Sequence, residues 1–419
     1  MARYMRTRNR SNFAESRDRA AGWTRSGESE AHRRHKPDYL IPVLALFLIV
    51  VGLIVVYAIS PGIAAARGVS EQSVTNRQLL SAGLGIFAFF AVSKLPLSWW
   101  PKLEKPLLVA AGVTAIIVKL FGETVNGAQR WVQIGGLSFQ AAELIKLALL
   151  VWLAGFLSAR AMSYELSDVQ KTLKPLGIAL AIIAVVVAGI ESDLGSAGVM
   201  VAMIGACVFM VGMPLRKIGI IGLAVGIFLT LAIASSGYRR QRIATFLNPT
   251  QDCQNAGYQI CESLKAIGSG GVFGKGLGKS VQAYGYLPEA SNDSIFAIFA
   301  EKFGFFGVSV LIGVFGLLFA RLKRIIERTQ DLYQRLLVTG VLAWLSAQTL
   351  INIGAMIGLM PLKGITLPFI STGGTSLVFV SIALGIVFQI SRNTAYRVVE
   401  DKQQETEPIS RGHTMLRRS

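Results

Sequence analysis

Long apolar stretches separated by short polar segments dominate the chain from Tyr39 almost to its C-terminus. A helix of roughly 20 apolar residues is long enough to cross about 30 Å of hydrocarbon. The pattern therefore predicts an all-α integral membrane protein with about ten transmembrane helices. The predicted spans lie near residues 39–60, 78–95, 106–121, 138–158, 175–191, 194–213, 218–236, 293–320, 336–357 and 374–391.

Composition and charge agree with a chain that is built for lipid. Of the 419 residues, 52% are hydrophobic and 16% are charged, whereas soluble domains average about 25% charged residues. The net charge of +18 is concentrated before the first span, after the last span and in alternate connections such as 94–105, 160–174 and 321–328. This positive-inside pattern predicts that both termini are cytoplasmic. It also explains the basic excess without binding to nucleic acid.

The same pattern divides the chain into three regions. Residues 1–38 are predicted to be a disordered, basic cytoplasmic tail, and residues 393–419 a second cytoplasmic tail. Residues 39–392 are predicted to be the membrane domain. Its one long extracytoplasmic loop, residues 237–292, precedes the eighth span.

The first polar outer connection has the sequence "NGAQRWVQIGGLSFQAAELIK" and ends inside the fourth predicted span. Arg130 is expected at the outer surface. Gln140, Glu143 and Lys146 follow at intervals of three, which keeps them on one side of a helix. Such ionisable groups either face a cavity or form an ion pair that only locks two helices together.

Polar residues in the next two outer connections also have both a structural and a ligand-binding interpretation. Asp193, in "GIESDLGSAG", either caps the sixth span or faces the cavity. Arg240 and Arg242, in the long loop, either bind phosphate or form a solvated basic rim. Cys253 and Cys261 share that loop, where a disulfide could persist outside the cell, although their separation in space is not fixed by the sequence.

The remaining polar residues surround the start of the eighth span and the last outer connection. Lys275 lies in a glycine-rich segment, and "YGYLPEASNDSIFAIFAEKFG" places Glu289 and Asp293 at the membrane mouth. Asp293 is either a helix cap or a catalytic group. Lys363 and Ser371 lie in "GLMPLKGITLPFISTGGTS", whose glycines and prolines predict irregular backbone that is buried or lines a cavity. Cations and carboxylates around an outward cavity suit a lipid-linked anionic substrate.

These motifs, together with "RIATFLNP" and "LPFISTGGTS", resemble in order those of the SEDS family (shape, elongation, division and sporulation) over nearly all of residues 39–392. The resemblance implies a peptidoglycan glycosyltransferase that polymerises lipid II on the outer face of the bacterial cytoplasmic membrane. It also implies a class B penicillin-binding protein as transpeptidase partner. "LMPLKGITLPF" is more similar to the division type (FtsW-like) than to the elongation type (RodA-like), which implies an FtsI-like partner, other divisome proteins and location at the septum.

The resemblance also implies roles for individual residues. Asp293 occupies the position of the essential base in the family motif L-P-E-x-x-x-D. The residues expected to bind substrate or to support those that do are Arg130, Gln140, Glu143, Lys146, Asp193, Arg240, Arg242, Lys275, Glu289, Lys363 and Ser371. The expected reaction is a single inverting displacement of undecaprenyl diphosphate. No cofactor is predicted, except a divalent cation, Mg²⁺ or Mn²⁺, as a candidate companion of the diphosphate.

Three other interpretations stay open at this point. A lipid II flippase would also use a polar outer cavity and intramembrane charges such as Glu143 and Lys146. An elongation-type polymerase would carry out the same chemistry in another complex. A scaffold that only recruits division partners would need no functional Asp293.

Overall fold

A computed structural model describes residues 36–125, 128–134, 137–190, 193–234, 237–248, 253–255, 257–362 and 364–392. Residues 1–35 of the predicted tail 1–38, the predicted tail 393–419 and Lys363 lie outside these residues. The chain is mainly helical. Its helices are α1 Leu40–Arg67, α2 Glu71–Lys94, a 3₁₀ turn Leu97–Trp99, α3 Trp100–Phe121, α4 Ala141–Met162, a π-helical turn Val169–Leu173, α5 Lys174–Ile182 with a π-helical continuation Ile183–Ile190, α6 Leu194–Met210, α7 Leu215–Ala234, α8 Gly237–Leu247, α9 Tyr258–Gly270, α10 Ile295–Arg328, α11 Leu332–Met356 and α12 Gly374–Ser391.

The prediction of an apolar helical membrane protein is confirmed. Within the described residues six segments are long and apolar enough to cross a bilayer: Leu40–Ala65, Ala141–Met162, Val169–Val187, Ile295–Arg328, Leu332–Met356 and Gly374–Ser391. The pair Glu71–Lys94 and Leu97–Phe121, bent by 94°, gives a seventh if it counts as one span. The predicted spans at 194–213 and 218–236 correspond to α6, a shorter apolar helix, and to α7.

The core forms where helices from both halves of the chain meet. A Cβ at Gly385 of α12 would lie 2.9 Å from the carbonyl oxygen of Phe89 on α2, and one at Gly85 of α2 would lie 3.0 Å from Ser381 Oγ. These glycines therefore allow close backbone approach, as small residues do in membrane helix pairs. Trp344 of α11 is fully buried among these helices.

For residues 123–140 the all-α prediction is wrong. They form a three-stranded antiparallel sheet of β1 Glu123–Val125, β2 Ala128–Ile134 and β3 Leu137–Gln140, in the order β1-β2-β3. Trp131 pairs with Glu123 on one side and with Gln140 on the other. β-Branched and aromatic residues favour strands, and the sequence has Asn-Gly and Gly-Gly between them, which is typical of hairpins. The fourth span therefore begins at Ala141, and Gln140 ends a strand instead of starting the helix.

The predicted outer loop 237–292 has internal structure, namely α8, α9 and a segment that folds back on α10. We name residues 271–281 the glycine strap. The N–H of Lys275 donates to the Glu301 carbonyl oxygen (2.9 Å), and the N–H of Phe305 donates to that of Gly271 (2.9 Å). α10 breaks at Gly304, whose φ is +64°. A Cβ at Gly274, where φ is +81°, would lie 2.1 Å from the Lys302 carbonyl oxygen, so the strap fits the break only without side chains at these positions.

A charged cluster lies at the connection between α4 and α5, one of the predicted inner connections. Glu165 accepts hydrogen bonds from Lys171 and from Arg160 Nη1 (2.6 Å). These bonds hold the pKa of the Glu165 carboxyl below its usual range. The side chain of Asp168 caps the following turn through the N–H groups of Gln170 and Lys171.

Candidate active site

Asp293 lies in the turn that leads into α10, and we name residues 288–294 the Asp293 turn. The residue is 8% exposed. The N-cap residue of α10 is Ser294, so the interpretation of Asp293 as the helix cap is wrong for this structure. Instead, its carboxylate Oδ2 lies 3.4 Å from the side-chain amide nitrogen of Gln259 on α9. The same amide donates to Ser294 Oγ at 3.0 Å.

The backbone of the Asp293 turn is held from α11. Asn352 Nδ2 donates to the carbonyl oxygen of Asp293 (2.7 Å) and to that of Ile365 (2.7 Å). One buried side chain thus joins the turn to the irregular segment that precedes α12. The position of the Asp293 Cα is therefore fixed by a helix that lies deep in the packed core.

The irregular segment 364–373 holds the two residues before Asp293. Ser371 Oγ donates to the Asn292 carbonyl oxygen (2.6 Å), and both the N–H (2.9 Å) and the Oγ1 (3.0 Å) of Thr372 donate to the Ser291 carbonyl oxygen. Ser371 Oγ also accepts from the N–H of Leu367 (2.7 Å). The hydroxyl of Ser371, a predicted substrate-binding group, is thus used to shape the site.

Glu289 gives the Asp293 turn its curvature. Its φ is +49°, in the left-handed region, and its carbonyl oxygen accepts from the N–H of Asn292 (2.9 Å) and of Ser294 (3.2 Å). Its carboxylate Oε2 accepts from Asn292 Nδ2 (2.5 Å). Because the residue is only partly buried, this carboxylate lies at the rim of the turn.

A narrow crevice without room for a water molecule lies beside Asp293. Its other lining residues come from the end of α11 and from the irregular segment: Ile351, Asn352, Ala355, Met356, Gly364 and Ile365. Asn352 Oδ1 is buried and has no hydrogen-bond partner among the described residues. The carboxylate therefore borders a largely apolar niche with polar groups at one side.

Glu143 and Lys146 form a buried ion pair. Lys146 Nζ lies 2.8 Å from Glu143 Oε1, and the two side chains are 1% and 3% exposed. Nζ also donates to Gln348 Oε1 (3.0 Å) and lies 4.9 Å from the centre of the Trp344 ring. Because its ammonium is surrounded in this way, Lys146 joins α4 to α11 and does not face an open cavity. Glu143 Oε2 is buried without a hydrogen-bond partner in the described part of the chain.

Gln348 extends this network towards the irregular segment. Its Oε1 accepts from Lys146 and from Trp344 Nε1 (2.8 Å), which uses both lone pairs. Its Nε2 donates to the carbonyl oxygen of Thr366 (3.0 Å). Gln348 and Asn352 are four residues apart on α11, so the ion pair and the Asp293 turn are held by adjacent turns of one helix.

Gln140 and Asp193 meet as a second polar pair. Gln140 Nε2 donates to Asp193 Oδ2 (3.1 Å). Asp193 caps α6, because its carboxylate accepts from the N–H (3.0 Å) and the hydroxyl (2.7 Å) of Ser196. The capping interpretation of Asp193 therefore describes the observed geometry, and Gln140 connects the sheet to that cap.

Lys275 belongs to the glycine strap. Its Nζ lies 3.1 Å from Glu301 Oε1, and Glu301 also accepts from Ser280 Oγ (2.5 Å) and the N–H of Val281 (3.0 Å). Lys302 Nζ donates to the Leu277 carbonyl oxygen (2.5 Å). Glu301 and Lys302 thus fasten the strap to α10, and the ammonium of Lys275 is already paired.

The other predicted cations are Arg130, Arg240, Arg242 and Lys363. Arg240 is exposed on α8. Arg130 lies on β2 and Arg242 on α8, but their side chains lie outside what the structure describes, as does all of Lys363. Within the described ranges, no group of three or more His, Cys, Asp or Glu side chains is arranged to hold a metal ion.

Cys253 and Cys261 are joined by a disulfide, with an S–S distance of 2.05 Å, at the start of α9. Gln259 lies between them in sequence. No role was predicted from the sequence for Gln259, Gln348 or Asn352. For the last two a signal exists: two amides one turn apart inside an apolar span usually face a polar partner.

Comparison with known proteins supports the motif-based resemblance. The family model described as "Cell cycle protein", which covers FtsW, RodA and SpoVE, matches residues 38–396. The chain is 36% identical over 373 residues to stage V sporulation protein E of Bacillus subtilis, covering 87% of this chain and 99% of that protein. It is 38% identical over 366 residues to the probable peptidoglycan glycosyltransferase FtsW of Aeromonas salmonicida, covering 84% and 90%.

Two solved structures have a similar fold. One comes from work on the structural coordination of polymerization and crosslinking by a peptidoglycan synthase complex. It has a TM-score of 0.67 and 27% identity, and covers 85% of this chain and 98% of that one. The other is the rod shape determining protein RodA of Thermus thermophilus, with a TM-score of 0.62 and 28% identity, covering 86% and 98%.

Proposed function

Because the chain belongs to the FtsW/RodA/SpoVE family of cell cycle proteins, we propose that it is a peptidoglycan glycosyltransferase that polymerises lipid II. Several relatives carry the name peptidoglycan glycosyltransferase FtsW, which favours the division-type assignment. The observation that carries the proposal is Asp293, a carboxylate at the mouth of α10 whose backbone carbonyl and side chain are both held by hydrogen bonds.

The proposed reaction is one inverting displacement. The 4-hydroxyl oxygen of the acceptor sugar forms a bond to the anomeric carbon of the donor, while the bond from that carbon to the diphosphate oxygen breaks. Asp293 accepts the hydroxyl proton, and the polyprenyl diphosphate leaves with the electron pair of the broken bond. A general base of this kind contributes about 10²–10⁴-fold to the rate.

Positive charge near the leaving diphosphate is the second requirement. We propose that Arg130, Arg240, Arg242 and Lys363 supply it, because guanidinium and ammonium groups suit phosphate oxygens. Lys146 and Lys275 have different proposed roles, since each is paired with a carboxylate. Glu143 holds Lys146, which supports α11 behind the site, and Lys275 keeps the strap in place. Gln140, Asp193, Glu289 and Ser371 shape the surroundings. A divalent cation would arrive with the diphosphate.

The topology belongs to the same proposal. Ten spans with both termini in the cytoplasm would put the Asp293 turn on the outer face of the membrane, where lipid II is used. Residues 1–38 and 393–419 would be cytoplasmic tails, and 39–392 the membrane domain. The proposed partners at the septum are an FtsI-like class B penicillin-binding protein and other divisome proteins. A similar chain comes from a peptidoglycan synthase complex, which supports a transpeptidase partner.

The test uses the purified full chain in liposomes with lipid II, with and without a co-expressed transpeptidase. Wild type should form glycan polymer, and Asp293→Ala should lose at least about 100-fold of the rate. Glu327→Gln is the matched control, because it removes an exposed carboxylate at the opposite end of α10. Near-normal polymerisation by Asp293→Ala would refute the assignment of the base.

A lipid II flippase is the second candidate, favoured by the buried Glu143–Lys146 pair. A flippase would move fluorescent lipid II between the leaflets of these liposomes without forming polymer, whereas a polymerase would do the reverse. The elongation-type alternative is separated by depletion in cells, with septum formation and side-wall growth as the two readouts.

A further inference from the structure

We propose that Gln259 is a positioning residue that sets the orientation of the Asp293 carboxylate. The inference rests on the proposed function, because it assumes that Asp293 is the base. Gln259 lies near the start of α9, more than thirty residues before Asp293 in the sequence. The sequence motifs predicted no role for it.

The contacts of the Gln259 amide define this role. Its Nε2 carries two hydrogens, and two acceptors lie within reach: Asp293 Oδ2 at 3.4 Å and Ser294 Oγ at 3.0 Å. Ser294 Oγ donates its own hydrogen to the Pro288 carbonyl oxygen (2.9 Å), so it must accept from Gln259. The direction of each hydrogen bond is thereby settled, and one donor remains for the carboxylate.

The Gln259 N–H contacts the Asp293 side chain itself, whereas the hydrogen bonds from Asn352 and Ser371 contact only the backbone of the turn. Asn352 and Ser371 bind carbonyl oxygens of the Asp293 turn, which fixes the Cα of Asp293 but does not by itself set its side-chain torsions. A hydrogen bond to Oδ2 restricts these torsions. The oxygen of a base must lie within about 2.6–3.2 Å of the oxygen whose proton it removes, so its orientation affects the rate directly.

α9 is fixed on several sides, as a positioning element must be. The disulfide between Cys253 and Cys261 encloses Gln259 within its loop. Ser263 Oγ donates to the Gln259 carbonyl oxygen (2.7 Å) and lies 3.5 Å from Met356 Sδ on α11. At the other end, a Cβ at Gly270 would lie 2.2 Å from the Ala300 carbonyl oxygen, so α9 packs directly on α10.

The experiment measures kcat and KM for lipid II polymerisation by the full chain in liposomes. Gln259→Ala should lower kcat about 10- to 100-fold, the usual range when a catalytic group is misplaced, and should leave KM within about twofold. Gln259→Glu keeps the size of the side chain but replaces the donor with a carboxylate, so it should lower kcat at least as much. Ser269→Ala is the control. It removes an exposed hydroxyl of the same helix, which donates to the Ala266 carbonyl oxygen (3.0 Å), and should behave as wild type.

Each outcome decides the question. A fall in kcat at constant KM in both Gln259 variants, with the thermal midpoint of wild type, supports the role. A raised KM with unchanged kcat, or unchanged values of both, overturns it, as does a loss in Gln259→Ala that Gln259→Glu restores. If Gln259→Ala does not fold, Gln259→Glu alone decides, because its size preserves packing. If the wild-type protein forms no polymer, the proposed function itself is overturned.

Discussion

The side-chain amide of Asn352 donates to the carbonyl oxygen of Asp293 at 2.7 Å. A second bond of the same length reaches the carbonyl oxygen of Ile365. Asn352 is 2% exposed, so both bonds are made away from water. One side chain of α11 therefore satisfies backbone groups of two irregular segments that could not otherwise lie at this depth.

Asn352→Leu tests this relationship. The substitution keeps the volume but leaves two buried carbonyl oxygens without a donor, and each costs about 1–3 kcal/mol. We expect the thermal midpoint in detergent to fall by several degrees and polymerisation to fall at least tenfold. Leu350→Ala, on the exposed face of the same helix, is the control. A variant with the midpoint and rate of wild type would contradict the role of Asn352.

The buried pair of Glu143 and Lys146 predicts non-additive effects. Removal of one partner leaves an unpaired buried charge, which costs about 3–5 kcal/mol, whereas removal of both can be nearly neutral. We therefore expect Glu143→Gln and Lys146→Met each to lower the thermal midpoint strongly, and the double variant to be more stable than either. Midpoints that fall additively would show that the two charges act separately.

The glycine strap predicts a position-specific intolerance to alanine. Gly274→Ala would place a Cβ 2.1 Å from the Lys302 carbonyl oxygen, at a φ of +81°. The backbone conformation alone costs about 1–3 kcal/mol for a residue with a side chain. We expect a lower thermal midpoint and rapid cleavage between α9 and α10 in limited proteolysis. Gly313→Ala on α10, where nothing lies within 4 Å of the added Cβ, should be tolerated. Equal protease resistance of the two variants would argue against the strap.

The disulfide predicts a redox effect that depends on Gln259. The bridge joins residues 8 apart, and the chain-entropy model gives about 2–3 kcal/mol for such a short loop. We expect reduction, or the Cys253→Ser/Cys261→Ser variant, to lower the wild-type polymerisation rate a few-fold. In a Gln259→Ala background the same treatment should have no further effect on the rate. An equal further loss there would mean that the disulfide acts elsewhere.

The apolar pattern predicted the larger elements because burial in lipid leaves a long, simple signal. The last span was predicted at 374–391, which are the bounds of α12, and the span at 336–357 differs from α11 by a few residues. The sheet at 123–140 was not predicted because each strand is short, so its alternating pattern covers only a few residues. Its turn glycines and β-branched residues were visible in the sequence.

Many residues of the site could be predicted from the sequence, but the contacts between them could not. Asp293 stood out at a membrane mouth, yet its contacts with Gln259 and Asn352 join residues 34 and 59 positions apart. Lys146 was predicted either to face a cavity or to pair with Glu143, and its other partner Gln348 lies 202 residues away, where the sequence gives no signal of contact. Residue types reveal which groups can take part in chemistry, whereas only the packing of helices decides which charges are already neutralised.

The break at Gly304 also bears on how the enzyme tolerates different membranes. An unbroken α10 of 34 residues would measure roughly 51 Å, far more than the hydrocarbon thickness of about 30 Å, and such helices tilt to compensate. The break separates a short upper part, which carries the Asp293 turn and the strap, from a lower part of roughly 36 Å between Phe305 and Arg328. Because α10 changes direction at Gly304, its two parts need not share one tilt, and we expect bilayer thickness to affect the lower part more than the Asp293 turn.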